Sequence, residues 1–343
     1  SHFGSVTKAY EASAQELAAT HLITAEKCSK ILASREKEYP HKLQAFCENN
    51  SVAILTTEDN NYPPQLKNIQ NPPSVLYVKG TLPDTDKAVG VVGSRKSTSY
   101  GLKVAGTFAQ DLALAGLTII SGGARGIDTA AHKGALKANG KTIAVLGCGI
   151  DVIYPYENAD LFKQISKIGA IITEFPPGTE PLAKNFPARN RIISGFSQGI
   201  LVVEAARKSG AMITAEFAID EGREVYCIPG SIFSPTSVGT HSLIKQGAKL
   251  VQRPEDILED FHLLLQKQPK EKCDMPDLFS GMSEDCEIVT NKILTVLNFN
   301  EAKTLEEIVT ASGLSLNVIS SVLLNLQVNG YIAEQIGKRY IRL

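Results

Sequence analysis

The chain has 343 residues, of which 43% are hydrophobic and 21% charged, and its formal net charge at pH 7 is −1. This length predicts two or three domains, one of them with a sizeable core. The near-neutral charge excludes a protein coated with basic residues, so any nucleic-acid site must be local. No apolar stretch reaches the roughly 18–20 residues that span a bilayer, and the first residues lack the pattern of a secretory signal. We therefore expect a soluble cytoplasmic protein without membrane contact.

Six cysteines are scattered through the chain, and none forms a pair or a Cys/His cluster with the spacing of metal ligands. Dispersed thiols fit a reducing cytoplasm. We therefore expect buried or bystander thiols, with no metal site and no cofactor. The six are Cys28, Cys47, Cys148, Cys227, Cys273 and Cys286.

Residues 1–48 predict a small helical domain. Thr24 begins one helical pattern with a start that resembles a capping box. The pair Tyr39-Pro40 is expected to close the segment. Because the chain begins at Ser1 and not with methionine, we expect this domain to be truncated at its start. Its apolar positions are Leu17, Leu22, Ile23 and Ile31.

Residues 49–261 predict one large α/β domain with a doubly wound, mostly parallel sheet. Short apolar runs rich in β-branched residues alternate with amphipathic stretches, and each run ends in glycine, serine or proline. Buried strands that alternate with helices indicate βαβ units. The predicted strands are Ser74–Val78, Ala88–Val92, Leu117–Ile120, Thr142–Leu146, Ala170–Thr173, Ile200–Val203, Glu224–Ile228 and Lys249–Val251.

Residues 262–285 are polar and charge-rich, which is typical of an exposed linker. Residues 286–343 then predict three helices and a β-hairpin, the element order of a winged helix. The turn would lie at Asn329-Gly330 and the wing tip at Gly337-Lys338-Arg339. The helical patterns cover 287–298, 304–311 and 315–328.

The ligand of this last domain stays open. Lys338, Arg339 and Arg342 would permit contact with double-stranded DNA. However, the predicted recognition helix at 315–328 carries no basic residue. We therefore weigh contact with a protein at least as heavily as contact with DNA.

Five loops that follow predicted strands contain the most informative residues. In a parallel sheet all strand carboxyl ends lie along one edge, so these loops converge there. Glycine lets backbone N–H groups approach a ligand, and the helices that follow point their positive ends at the same place. One such loop is often a plain turn, but five on one edge predict an anion site, most naturally for phosphates. The loops are Gly93-Ser94-Arg95, Ser121–Asp128, Gly147-Cys148-Gly149, Glu174–Gly178 and Pro229-Gly230-Ser231.

A run of basic and aromatic residues occupies 184–191. Arg207 and Lys208 accompany it within 184–208, where Glu204 is the only acidic residue. Single-stranded nucleic acid needs cations that follow its phosphates and a flat ring on which a base can stack. Two alternatives remain: Phe186 as a core residue, and either arginine as an internal ion-pair partner, most credibly Arg191 with Glu174 or Glu204. The candidates are Lys184, Arg189 and Arg191 for the phosphates and Phe186 for a base.

The segment Ser209–Ala215 reads as a loop that opens a helix. Ser209 is the expected N-cap, and Ala211–Ile213 would pack on the sheet. The alternative is contact of Ser209 and Thr214 with a phosphate or a partner.

Taken in order, these motifs resemble the DprA/Smf family of DNA-processing proteins. The matches run from about residue 90 to 250, and the pair formed by Gly122–Asp128 and Phe186–Arg191 is highly specific. One departure is His241, which stands where the family usually has asparagine and puts a specific hydrogen bond there in doubt. The remaining matches are Gly93-Ser94-Arg95, Gly147-x-Gly149-x-Asp151, Tyr154-Pro155-x-x-Asn158, Glu174–Gly178, Ser209–Ala215 and Pro229-Gly230-Ser231.

The resemblance implies a homodimeric, Rossmann-like protein that binds single-stranded DNA in a positive pocket. It also implies that the protein protects incoming DNA and helps to load RecA during natural transformation and recombination. Gly147 or Gly149 would allow close approach of the backbone, while Arg189 and Arg191 would support or extend the contact. The DNA-binding residues that it implies are Gly93, Ser94, Arg95, Gly147, Gly149, Lys184, Phe186, Arg189 and Arg191.

Two other functions compete with DNA binding. The Rossmann-like superfamily that the resemblance implies is similar to the lysine-decarboxylase-like nucleotide phosphoribohydrolases, but Pro229-Gly230-Ser231 lacks the second glycine of their Pro-Gly-Gly-x-Gly-Thr-x-x-Glu loop. Asp128, His132 and Glu204 would be the acid–base candidates, although a histidine like His132 is more often a packed residue. A nucleotide-sensing scaffold is the third possibility. We expect a protein that is not an enzyme.

Overall fold

A computed structural model of the chain describes residues 2–35, 38–263, 284–298, 302–328, 331–335 and 337–342. Its contacts divide the chain into two compact units, Ser1–Ala53 and Ile54–Leu343. Most of the predicted linker lies outside the described residues, as does the predicted turn at Asn329-Gly330. The domain boundaries drawn from the sequence therefore stay predictions.

The first unit consists of short helices with well-formed starts. Ser13 and Glu16 form a capping box at α2, and the Thr24 hydroxyl accepts from the backbone N–H of Lys27 at α3. Ala12, Leu17 and Cys28 are buried together as its core. The helices are α1 (Val6–Glu11), α2 (Ala14–Ala19), α3 (Ala25–Ala33) and α4 (Tyr39–Asn49).

Two expectations for this unit are wrong. Leu22 is 80% exposed and Ile31 38% exposed, so neither belongs to the core. Tyr39-Pro40 begins α4 and does not close the helical segment. Proline is tolerated in a first helical turn because the backbone N–H groups of that turn have no carbonyl partner within the helix.

The central sheet has nine strands in the described part of the chain, in the order β1-β2-β6-β5-β4-β3-β7-β8-β9. Seven of them, β3 to β9, are parallel to one another, and β2 pairs antiparallel with β6. All eight predicted strands are present within two residues, and the predicted fold class is confirmed, whereas β1 has no predicted counterpart. The strands are β1 (Val52–Thr56), β2 (Val75–Gly80), β3 (Ala88–Val92), β4 (Thr118–Ser121), β5 (Thr142–Val145), β6 (Ala170–Thr173), β7 (Gly199–Val202), β8 (Glu224–Cys227) and β9 (Lys249–Leu250).

Helices cover both faces of this sheet, because alternate residues of each strand point to opposite sides. Along β3, Val89 and Val91 join the apolar core that contains Phe108 and Ile127, while Ala88 and Val92 join the other core. Both cores are closed by apolar helix faces. The helices are α5 (Pro64–Lys67), α6 (Ser99–Leu114), α7 (Ile127–Lys137), α8 (Ala159–Ile168), α9 (Asn185–Phe196), α10 (Gly210–Asp220), α11 (Val238–Lys245) and α12 (Glu255–Leu258).

The strand order reverses between β3 and β7. From β3 the chain adds β4, β5 and β6 on one side, and from β7 it adds β8 and β9 on the other. The loops that leave the carboxyl ends of β3 and β7 therefore diverge and open a crevice between them. Ligands of doubly wound proteins bind at such a switch point.

The last part of the chain has its own apolar core, which includes Ile293, Ile308 and Ile319. Its strands form an antiparallel sheet in the order β10-β12-β11. The predicted helices and hairpin are present in the predicted order, and the turn before β12 contains Gly337 and Lys338; the winged-helix assignment stays a prediction. The elements are α13 (Glu284–Val296), β10 (Lys303–Thr304), α14 (Leu305–Ser312), α15 (Leu316–Val328), β11 (Ile332–Gln335) and β12 (Arg339–Arg342).

Among the described residues, no single helix is long and apolar enough to cross a membrane, whereas the bent pair Leu305–Ser312 and Leu316–Gln327 passes on length and composition. The cysteines follow the expectation of buried thiols as far as they are described. Cys273 and the side chain of Cys286 lie outside the described part. The buried free thiols are Cys28, Cys47, Cys148 and Cys227.

Helices α6 and α7 cross so closely that one glycine is required. A Cβ atom on Gly134 would lie 2.2 Å from the carbonyl oxygen of Gly106, whereas a Cβ on Gly106 would meet nothing closer than 3.8 Å. We predict that Gly134→Ala lowers the free energy of unfolding by about 1–3 kcal/mol through overpacking. Gly106→Ala is the matched control and should be neutral or stabilising by up to about 1 kcal/mol. Urea titrations measure both, and equal stability of the two variants would contradict this packing.

Candidate nucleic-acid interface

A cleft of about 1040 Å³ opens at the switch point, beyond the carboxyl ends of β3 and β7. One wall is the loop Gly93–Lys96, and the other is the loop after β7 with the start of α10, residues 206–214. The start of α9 lies in the cleft as well. Five of the nine predicted site residues line it: Gly93, Ser94, Arg95, Phe186 and Arg189.

The cleft concentrates positive charge that the whole chain does not have. Its lining contains five cationic side chains and two acidic ones, Asp128 and Glu216. Four of the cations are exposed, and none of those four forms an ion pair within the described residues. The total charge of the chain is only −1, so any nucleic-acid site was expected to be a local cluster of positive charge. The cleft has such a cluster. The exposed cations are Arg95, Lys96, Arg207 and Lys208.

The Phe186 ring is half-buried in the cleft, at the start of α9. The guanidinium carbon of Arg95 lies 5.0 Å from the centre of this ring, and the Tyr154 ring lies 5.6 Å from it at a tilt of 46°. A cation over an aromatic face is an attractive arrangement. The ring is thus held between a cation and a second aromatic side chain and is not part of either core, so the alternative of a core residue is not favoured.

Gly147 and Gly149 shape the cleft from outside its lining. A Cβ atom on Gly147 would lie 2.9 Å from Cδ1 of Phe186, so the absence of a side chain there gives the ring its place. The N–H of Gly149 donates to the carbonyl of Thr179 at 2.9 Å. Both glycines therefore shape the loops that they pack, and the predicted close approach of their backbone to DNA stays a prediction.

Arg189 lies at the floor of the cleft, one turn along α9 from Phe186. It is only 3% exposed, and its guanidinium donates to the carbonyl of Gly122 at 2.8 Å and to the carbonyl of Val145. Its guanidinium carbon is 5.9 Å from the Phe186 ring centre. Burial lowers the pKa of Arg189 to about 10, which leaves it charged at neutral pH. It joins the ends of β4 and β5 to the Phe186 ring.

Asp128 is the acidic partner of this buried charge. Its Oδ2 atom and Nη2 of Arg189 both lie 2.6 Å from the position that a Cβ on Gly122 would take, so the two groups flank that glycine. Asp128 is 7% exposed and accepts from the N–H of Ala124 at 3.3 Å. Burial raises its pKa to about 6, against the opposing effect of the Arg189 charge.

His132 and Glu204 have structural partners. Nδ1 of His132 lies 2.7 Å from the Thr142 hydroxyl, and burial lowers the pKa of the imidazole to about 3. The Glu204 carboxylate accepts from the N–H of Thr98 at 2.9 Å and from its hydroxyl at 2.6 Å, next to the start of α6. The interpretation of His132 as a packed, hydrogen-bonded residue fits this arrangement.

Arg191 and Lys184 do not line the cleft. Arg191 forms a two-pronged ion pair with Glu174, with both N–O distances 2.6 Å, and donates to the carbonyl of Asn71 at 2.9 Å. This ion pair is the alternative that the sequence left open for Arg191, and with the carbonyls of Asn71 and Ala188 it engages Nε and both terminal nitrogens of the guanidinium. Lys184 is exposed at the position before α9.

Three cations of the cleft were not among the predicted site residues: Lys96, Arg207 and Lys208. The signal that would have found the last two is topological, because they follow β7 directly and β7 borders the switch point. Ser209 precedes α10 as expected, but its hydroxyl makes no capping bond there and, within the described part of the chain, is buried without a hydrogen-bond partner.

Comparison with known proteins places the chain in a family. Residues 53–262 match the sequence model of DNA recombination-mediator protein A. Protein Smf of Escherichia coli is 39% identical over 325 residues, which cover 94% of this chain and 85% of that protein. The chain belongs to the DNA recombination-mediator protein A (DprA/Smf) family.

Solved structures of family members share the fold. DNA processing protein A of Streptococcus pneumoniae superposes with a TM-score of 0.64 at 38% identity, covering 72% of this chain and 86% of that one. The protein from Helicobacter pylori superposes with a TM-score of 0.56 at 29% identity, covering 62% of this chain and 95% of that one. The Helicobacter structure concerns that protein's mode of binding single-stranded DNA. The resemblance that the sequence motifs indicated is confirmed.

The buried Asp128 makes stability depend on pH. Its pKa of about 6 in the folded protein lies above the ordinary value of 3.8. Its contribution to stability is therefore complete below pH 3.8 and is lost as the pH rises through 6. Asparagine cannot ionise, so the free energy of unfolding of Asp128→Asn relative to the parent should rise by about 1–3 kcal/mol between pH 4 and pH 7. Denaturant titrations at both pH values test this, with the exposed Asp160→Asn as control; a difference that is constant with pH would contradict it.

Proposed function

We propose that this protein binds single-stranded DNA in the cleft at the switch point, with a base stacked on Phe186 and the phosphates held by the surrounding cations. The observation that carries this proposal is the combination of four unpaired cations with one half-buried ring in a single cleft. Cations that follow a backbone and a ring that accepts any base are the two parts of a sequence-tolerant site for single strands.

The position of the ring favours a single strand over a duplex. Phe186 is half-buried and already contacts Arg95 and Tyr154, so a base must leave its own stack to reach it. Bases of a single strand do so at low cost, whereas a duplex would first have to unpair. Arg95 is then placed to contact both the ring and a neighbouring phosphate, which arginine binds through two parallel hydrogen bonds.

The predicted site residues take different roles in this proposal. Arg95, with the backbone of Gly93 and Ser94, contacts the strand directly. Arg189 contributes its charge from the floor of the cleft and fixes the loops under Phe186. Lys184 and Arg191 lie outside the lining, and we propose that any contact with DNA there involves Lys184, since Glu174 occupies Arg191.

Family membership supports a wider role. We propose that the protein acts as a homodimer, protects incoming single-stranded DNA and helps to load RecA in natural transformation and recombination. The Helicobacter relative, whose structure concerns the binding of single-stranded DNA, supports only the DNA-binding part of this role. The last domain would add a contact with a protein or with double-stranded DNA.

A binding protein fits these residues better than a phosphoribohydrolase does. The three acid–base candidates are engaged elsewhere: Asp128 beside Arg189, His132 with Thr142 and Glu204 with Thr98. We therefore propose that the protein is not an enzyme. Incubation with AMP should release no adenine above a blank without protein, measured by chromatography. Release that disappears in Asp128→Asn would establish the alternative.

Fluorescence anisotropy with a labelled oligo-dT strand tests the proposed site. Affinity should fall with salt, and Arg95→Ala should weaken binding about tenfold and reduce the slope of log affinity against log salt by about 0.7. Lys137→Ala is the control, because it removes the same charge from the last turn of α7, at the opposite edge of the sheet. If Arg95→Ala matched Lys137→Ala, the cleft would not be the site.

A further inference from the structure

Two neighbouring apolar side chains stand almost free in solvent on the loop between β8 and α11. Ile232 is 78% exposed and Phe233 is 90% exposed. Isolated apolar residues on a surface need no explanation. These two are adjacent in the chain, however, and their loop forms part of the cleft, since Pro235 and Thr236 line it. The exposed Phe233 therefore lies two residues before the part of its loop that lines the cleft.

Hydrogen bonds fix the loop at both ends and across its tip, which holds Ile232 and Phe233. Its first residues are anchored to α6, its last residues to the strand β7 side of the cleft, and the tip itself is closed by a turn. The bonds run from Tyr100 Oη to Pro229 O (3.0 Å), from Ala205 N to Thr236 O (2.7 Å) and from Ser234 N to Ser231 O (3.0 Å).

The same lip of the cleft bears two unpaired cations. Ala205, which is bonded to Thr236, is followed within three residues by Arg207 and Lys208. Both are exposed, and neither forms an ion pair within the described residues. The loop that bears Phe233 is thus bonded to the segment that bears Arg207 and Lys208. A ring and two cations on joined segments at the edge of the cleft repeat the composition of the proposed site.

We propose that Phe233 is a second base-stacking platform for the bound strand. The strand fills the cleft at Phe186, passes Arg207 and Lys208, and stacks a base on Phe233 as it leaves; this rests on the proposed function. The residues that flank the tip, Ser231 and Ser234, are polar. An apolar surface of two side chains, Ile232 and Phe233, beside polar residues suits a single base followed by phosphates, whereas a protein partner would require a wider apolar face.

The dependence on strand length tests this assignment. Anisotropy titrations use the full chain and oligo-dT strands of about 4 to 20 nucleotides, a range that covers the usual site sizes. Phe233→Ala should leave affinity for the shortest strand unchanged and should lower affinity for long strands about tenfold, as expected for the loss of one base stack. Phe233→Tyr keeps the ring and should bind like the parent protein.

A direct readout is available because the chain contains no tryptophan. In Phe233→Trp the single indole should be quenched when a long oligo-dT strand binds, with the same dissociation constant that anisotropy gives. A long strand without bases should bind more weakly and leave the indole unquenched. Leu114→Trp is the control, since Leu114 is 45% exposed at the end of α6, on the opposite edge of the sheet.

The outcomes separate this inference from the proposed function. If long strands bind with salt-dependent affinity but the indole at 233 is not quenched and Phe233→Ala binds as tightly as the parent, the second platform is refuted and the cleft remains. If the parent protein binds no strand of any length, or if Arg95→Ala has no effect, the proposed function itself fails.

Discussion

The buried guanidinium of Arg189 is the interaction on which the rest of the site depends. It joins the carbonyls of Gly122 and Val145, at the ends of two central strands, and stands beneath the Phe186 ring. A charge taken out of water is costly unless it is paired and hydrogen-bonded. Here the carbonyls and the nearby Asp128 carboxylate offset that cost, and the charge remains at the floor of a cleft where a phosphate chain would lie.

This arrangement explains how a chain of nearly neutral total charge can hold a polyanion. Because the strand order reverses between β3 and β7, the loops that follow these two strands diverge and leave a crevice between them. The cations of both loops line that crevice. Of the residues that line the cleft, five are cationic and two are acidic, so the cleft has a local excess of positive charge although the chain as a whole has a net charge of −1. Such a confined field favours a strand that enters the crevice over one that lies on the outside.

Much of the fold could be predicted from the sequence, because β-branched runs that end in glycine have few alternatives to buried parallel strands. The strand β1 could not, since in Val52–Thr56 only Val52 and Leu55 are buried and no glycine, serine or proline follows directly. At the site, Arg95 and Phe186 could be found from residue type. The partners of Arg189 and Arg191 could not, because residues far apart in the chain decide whether an arginine faces DNA, Glu174 or two carbonyls. Lys96, Arg207 and Lys208 were missed because only the strand order shows that their loops share a crevice.

The central claim is that the cleft between the loops after β3 and β7 holds the strand. A crystal structure of the full chain with a short oligo-dT strand tests it most directly. The account predicts a thymine ring stacked on Phe186, with a neighbouring phosphate bound by Arg95. A structure in which the strand lies on the first helices or on the last domain, with the cleft open to solvent, would contradict it.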